Sequence, residues 1–261
     1  MKDIISELKS INKYIGSIKE SIEKELVNEG VYDPGILKCI FMAGGPGSGK
    51  SFTAQELFGI DKRLKNSFSR FGLKVVNSDS AFEAGLRKNG INPKFLADIE
   101  KENPDFYNNV VLGTIRQKAK QITQKQKSFF EEGRLGMIVD GTGDDYAKIA
   151  SQKERAESLG YDCYMVFVNT SLEVAIERNK KRDRTLPDNI VQEIWKACQE
   201  NMGKFQNLFG ASNFRIVDNT VYKPVDSYIQ KAINQFMVSP IKNPTGKKWI
   251  EYAKLIKKSN A

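Results

Sequence analysis

Apolar residues open the chain at alternating four- and three-residue steps: Ile4, Leu8, Ile11, Ile15, Ile18 and Ile22. That spacing predicts an amphipathic helix with one heptad-like seam, ending near Asn28-Glu29-Gly30. The seam has to be covered. Docking on the rest of the chain is the preferred reading, and pairing with a second copy through residues 4–26 is the alternative, so the chain is expected to be a monomer or a dimer. Asp33-Pro34-Gly35 is a turn signal, and the pattern changes after it. Short continuous apolar runs at 36–43, 73–77, 136–140, 162–169 and 214–217 predict buried strands. Between them, helical patterns cover 51–58, 81–132 (broken at Asn89-Gly90, Asn92-Pro93 and Asn103-Pro104) and 146–159. Another starts at Ser171, with Glu173 in its first turn. Alternating strands and helices imply an α/β fold, a parallel sheet with right-handed crossovers and helices on both faces. The tail beyond Pro240 predicts a short basic helix, solvated and packed by Trp249 and Tyr252. The expected organisation is an N-terminal amphipathic helix over 1–30, one α/β domain over 31–238, and a basic tail over 239–261.

The loop between the first strand and the first helix of that domain carries the chemistry. Gly44-Gly45-Pro46-Gly47-Ser48-Gly49-Lys50-Ser51 matches G-x-x-x-x-G-K-[ST] in full, in the strand–loop–helix setting that the motif requires. Glycines let the backbone curl with its N–H groups inward, and the positive end of the helix at Lys50 completes an anion cradle. Lys50 is suited to the β- and γ-phosphates of ATP, and the Ser51 hydroxyl to Mg²⁺. Phe52 and Arg182 join the expected nucleotide-binding set. The fold expected is a P-loop NTPase, and the expected activity is phosphoryl transfer.

Such chemistry needs carboxylates. Asp140 ends the third predicted strand and suits the Mg²⁺ shell. Asp79, read as ending the second strand, suits the role of general base toward an acceptor hydroxyl. Both lie where ligands bind in open parallel sheets, although Asp also commonly caps helices after strands. Glu83 falls one helical turn past Asp79 and is a candidate acceptor contact or a solvated carboxylate; Thr142 is grouped with the acceptor side. The segment Arg178-Asn179-Lys180-Lys181-Arg182-Asp183-Arg184 reads as a lid over ATP, where the planar forks of its arginines suit phosphate oxygens, rather than a solvated helix end.

Composition narrows this. The chain of 261 residues has no histidine, which excludes histidine bases, Ser/His/Asp catalysis and histidine metal ligands. A net charge of +9 attracts anions, nucleic acid included, but also fits an ordinary lysine-rich surface. Three scattered cysteines fit buried thiols and a reducing, cytoplasmic setting. No apolar run is long enough to span a bilayer, and the N-terminus has no signal-peptide core, so a soluble protein without membrane partners is expected.

The glycine loop, then Val76-Asn77-Ser78-Asp79, Val139-Asp140-Gly141-Thr142-Gly143 and the Arg178–Arg184 segment, resembles the zeta-toxin kinases, P-loop kinases related in fold to polynucleotide kinases. The resemblance covers about residues 36–220. It implies transfer of the γ-phosphate of ATP to a sugar hydroxyl of a UDP-amino sugar, with Asp79 as general base and Arg178 and Arg184 on the phosphates. Asp140 stands where that family usually has glutamate, and the two arginines stand closer together. Two other readings compete. A polynucleotide or nucleotide kinase is supported by the charge and by the lysines of residues 118–127, which lack interleaved aromatics and read more simply as a solvated face. A non-catalytic ATP-binding switch is opposed by the retained Lys50, Asp79, Asp140 and Arg178.

Overall fold

A computed structural model describes residues 30–33, 35–60, 69, 71–182 and 185–259. The N-terminal seam and Arg184 lie outside the described residues. Five strands form one parallel sheet: β1 (Lys38–Ala43), β2 (Lys74–Val76), β3 (Met137–Asp140), β4 (Asp162–Asn169) and β5 (Phe214–Asp218), in the order β2-β3-β1-β4-β5. The predicted P-loop α/β architecture holds, with β1 at the centre. Every residue of β1 is buried, as expected for a strand covered on both faces. Alternate side chains go to opposite layers. Cys39, Phe41 and Ala43 join the core with Met165, Phe167 and Phe205, whereas Ile40 and Met42 join Ile138, Val166 and Ile233.

The helices are α1 (Lys50–Phe58), α2 (Ser78–Lys88), α3 (Leu96–Glu102), α4 (Gln117–Glu132), α5 (Tyr146–Ser158), α6 (Leu172–Lys180), α7 (Asp188–Phe209), α8 (Ser227–Val238) and α9 (Pro244–Ser259). A π-helical segment, Tyr107–Arg116, runs directly into α4. It shares a separate small core with α2, built from Phe82, Leu86, Val111 and Ile115. Gly85 permits that approach, since a Cβ there would lie 2.8 Å from Ile115 Cγ2. The break expected at Asn103-Pro104 is present, with the Asn103 side chain capping the next turn.

Two sequence expectations need correction. β2 ends at Val76, and α2 starts at Ser78, so Asp79 sits in the first turn of a helix and does not end a strand. The cap is Asn77, whose Oδ1 accepts from Asp79 N at 2.7 Å; a short polar side chain in extended backbone satisfies a helix-start N–H better than a continued strand would. Tyr252 is 64% exposed and packs no tail, whereas Trp249 and Ile250 lie on the main core. The tail is bound at the sheet edge away from the glycine loop: Asp162, which opens β4, accepts from the N–H groups of Lys242 and Asn243, each at 2.9 Å.

Candidate active site

The glycine loop leaves the carboxyl end of β1 and enters α1. Gly44, Gly47 and Gly49 have φ of 152°, 77° and 87°. A Cβ would lie 2.4 Å from Val168 O at Gly44, 2.2 Å from Ala175 O at Gly47 and 1.9 Å from Asn219 Nδ2 at Gly49. Backbone conformation and space therefore both require glycine at these three positions. Gly45 and Pro46 are buried. Among the described residues, no side chain caps α1, and its first N–H groups are open to an anion. Lys50 Nζ lies across the loop and donates to Gly44 O at 2.5 Å. The Ser51 side chain is exposed, and Ser48 Oγ is buried without a hydrogen-bond partner among the described residues. Phe52 meets Tyr222 ring to ring at 4.9 Å.

One amide organises the carboxylates. Asn77 Nδ2 donates to Asp140 Oδ2 at 2.7 Å while Asn77 Oδ1 caps the turn that carries Asp79. Burial pushes the Asp140 carboxyl above its usual range; the Lys50 cation and the Asn77 hydrogen bond oppose that, and the Asp79 charge adds to it. Asp140 Oδ1 is buried and has no hydrogen-bond partner among the described residues. A buried carboxylate oxygen with nothing to accept from, beside a cradle for phosphate, fits a phosphate-bound Mg²⁺ and its waters. Among the described residues, no group of three acidic or thiol side chains is placed to hold a metal by itself.

Asp79 accepts a charge-assisted hydrogen bond from Arg116 Nη1 at 2.9 Å. The Arg116 guanidinium lies 4.9 Å from the centre of the Phe82 ring. Arg116 closes the π-helical segment and belongs to none of the sequence motifs. Glu83 forms an ion pair with Arg87 at 3.7 Å along α2. Thr142 is exposed; its hydroxyl donates to the Asp144 carboxylate, and its carbonyl accepts from Gly44 N at 2.8 Å.

Arg178, in the last turn of α6, reaches the glycine loop. Its Nη1 donates to Asn219 O at 2.7 Å and lies 3.8 Å from the position of a Cβ on Gly49. Arg182 is exposed, and no hydrogen bond or ion pair involving its side chain is found among the described residues. Helix α7, which is not among the predicted helices, pins the loops at the carboxyl edge of the sheet. Trp195 Nε1 donates to Thr170 O at 2.8 Å, Cys198 Sγ to Thr142 O at 3.1 Å, and Asn201 Nδ2 to Asp144 O at 2.7 Å. A cavity of about 600 Å³ lies beside Asp140 and Thr142, and Lys120, Lys127, Lys148 and Arg155 contribute to its wall. Lys127 and Arg155 both pair with the buried Glu131.

Comparison with known proteins agrees with this architecture. A family model described as an AAA domain matches residues 39–205. A search of curated proteins finds no match. Among solved structures, the chain is similar to one from the PezAT chromosomal toxin-antitoxin system of Streptococcus pneumoniae, at 11% identity and a TM-score of 0.50, covering 92% of this chain and 94% of that one. It is similar to a putative kinase from Chloroflexus aurantiacus at 12% identity and a TM-score of 0.50, covering 76% of this chain and 97% of that one. The AvrRxo1-ORF1:AvrRxo1-ORF2 complex solved with sulphate ions gives 16% identity and a TM-score of 0.50, covering 80% of this chain but only 62% of that one. At these identities the likeness is one of fold. No helix among the described residues is long and apolar enough to cross a membrane. With the model covering most of its length, the chain belongs to the AAA domain family, and its fold is that of the zeta-toxin-like P-loop kinases.

Proposed function

We propose that the chain is an ATP-dependent kinase that transfers the γ-phosphate to a hydroxyl of a small molecule, a nucleotide sugar by its resemblance to the zeta-toxin kinases. The observation that carries this reading is the brace at Asn77, which holds Asp140 and the turn bearing Asp79 together, with Lys50 near enough to act on the Asp140 carboxyl. In this account the loop amides and Lys50 bind the phosphates, and Ser51 and Asp140 hold Mg²⁺. Bound Mg²⁺ supplies counter-charge to the phosphate oxygens. Asp79 takes the proton of the acceptor hydroxyl, a task that falls to a carboxylate in a chain without histidine. Arg178, beside Gly49, is aimed at charge that builds on the transferring group, and Arg184 is proposed to assist it. The cavity beside Asp140 takes the acceptor, with Thr142 and Glu83 as candidate contacts.

A second reading, a polynucleotide 5′-hydroxyl or nucleotide kinase, draws on the same cavity's four basic residues and the net charge of +9. Incubation with γ-labelled ATP, Mg²⁺ and separate panels of UDP-sugars, nucleosides, nucleoside monophosphates and oligonucleotides tests both. Label on a UDP-sugar supports the first reading, label on an oligonucleotide or nucleotide the second, and label only in inorganic phosphate contradicts both.

A further inference from the structure

Asn219 directly follows β5, and the motifs gave no reason to notice it. Its side chain is buried, and its backbone N–H extends the β4–β5 ladder by donating to Asn169 O at 2.9 Å. Its Nδ2 donates to Ser48 O at 2.8 Å inside the glycine loop. Its carbonyl accepts the Arg178 guanidinium at 2.7 Å. The neighbouring Thr220 Oγ1 accepts from Ser171 N at 3.2 Å, the residue that caps the helix bearing Arg178.

The peptide plane gives this arrangement its consequence. In a trans peptide the C=O and N–H point in opposite directions. A bond that holds the Ser48 carbonyl outward therefore turns the Gly49 N–H toward the inside of the loop. The same residue supplies the carbonyl on which Arg178 rests. Gly49 leaves no alternative use for the space, because a Cβ there would meet the Asn219 amide at 1.9 Å. We propose that Asn219 is a positioning residue that couples the glycine loop to Arg178, so that phosphate binding by the loop and by the arginine depend on one buried side-chain amide. This rests on reading the loop as an ATP cradle and goes beyond it, since no acceptor is involved.

The test is calorimetric titration of Mg·ATP into the full chain: wild type, Asn219→Ala, Asn219→Asp, Arg178→Ala and the Asn219→Ala/Arg178→Ala double variant. Circular dichroism and thermal melts without nucleotide are run alongside. Asn219→Ala is expected to bind ATP about tenfold more weakly, the worth of one well-placed hydrogen bond. Asn219→Asp keeps the size but sets an acceptor against the Ser48 carbonyl, so it should bind at least as weakly, and it replaces the alanine variant if that one does not fold. Arg178→Ala should by itself weaken ATP binding severalfold, and the double variant should lose no more than the worse single variant, since both act through one unit; unchanged affinity in Arg178→Ala would overturn the coupling. A purely structural Asn219 would lower the melting temperature but leave its loss independent of Arg178. Wild-type affinity in both Asn219 variants, or losses that multiply in the double variant, would overturn the coupling while leaving the ATP site intact. Failure of the wild type itself to bind ATP would overturn the cradle reading and the coupling together.

Discussion

Arg116 Nη1 lies 2.9 Å from Asp79 Oδ1, and this pair joins two helices that are distant in sequence but share one small core. The guanidinium also packs on Phe82, one turn further along α2. An arginine held by both a ring and a carboxylate fixes the carboxylate's direction as well as its charge. A group meant to meet an incoming hydroxyl needs that fixed aim, because small displacements of reacting groups are costly.

Arg116→Met keeps an apolar side chain of similar reach and removes the fork, and with it both the Asp79 hydrogen bond and the guanidinium contact with Phe82. Phosphoryl transfer should fall about 10- to 100-fold, with ATP affinity unchanged. Introduced into Asp79→Asn, the same change should cost little more, since Arg116 acts through Asp79. Steady-state kinetics of the four proteins check this. Equal losses in both backgrounds would separate Arg116 from the base.

Lys50→Ala should abolish transfer while the protein still folds. Lys50 is partly exposed and donates to a loop carbonyl, so it carries charge rather than packing. Circular dichroism with a labelled-ATP assay measures both halves of the statement. Wild-type turnover in this variant would remove the loop from the chemistry.

Asp140 offers a stability prediction of opposite sign to the usual carboxylate. Burial raises its proton affinity in the folded chain, so folding favours the protonated form. That contribution is complete at low pH and is lost as pH rises through the raised native value. Ionised Asp140 therefore costs stability near neutrality. Asp140→Asn should raise the melting temperature of the nucleotide-free protein at pH 7.5, and the gain should shrink as pH falls toward about 4, the ordinary carboxyl range. The same variant should bind Mg·ATP more weakly. Thermal melts across pH test it, and a gain that grows on the acid side would contradict the assignment.

Much of the sheet was legible because central parallel strands are continuous apolar runs. The run at 162–169 matches β4 at both ends. The glycine loop was legible because its spacing is enforced by atoms that leave no room for a Cβ. Arg116 and Asn219 were not, because their roles come from pairings across 37 and 171 residues that no local pattern records. Helix α7 does carry a regular apolar stripe in the sequence, Val191, Ile194, Cys198, Met202, Phe205 and Phe209; what no local pattern records is that its Gln199 and Asn201 bond to the carboxyl end of the sheet. Asp79 lies in a helix rather than at a strand end because Asn77, the last residue of the run at 73–77, caps a helix with its side chain.

The most direct measurement of the central claim compares wild type and Asp79→Asn in single-turnover transfer from γ-labelled ATP to the acceptor found in the screen. Asn keeps the size of Asp79 but cannot take a proton. The label should reach the acceptor about 10² to 10⁴ times more slowly in the variant, with ATP affinity barely changed. Transfer at the wild-type rate in Asp79→Asn would contradict it.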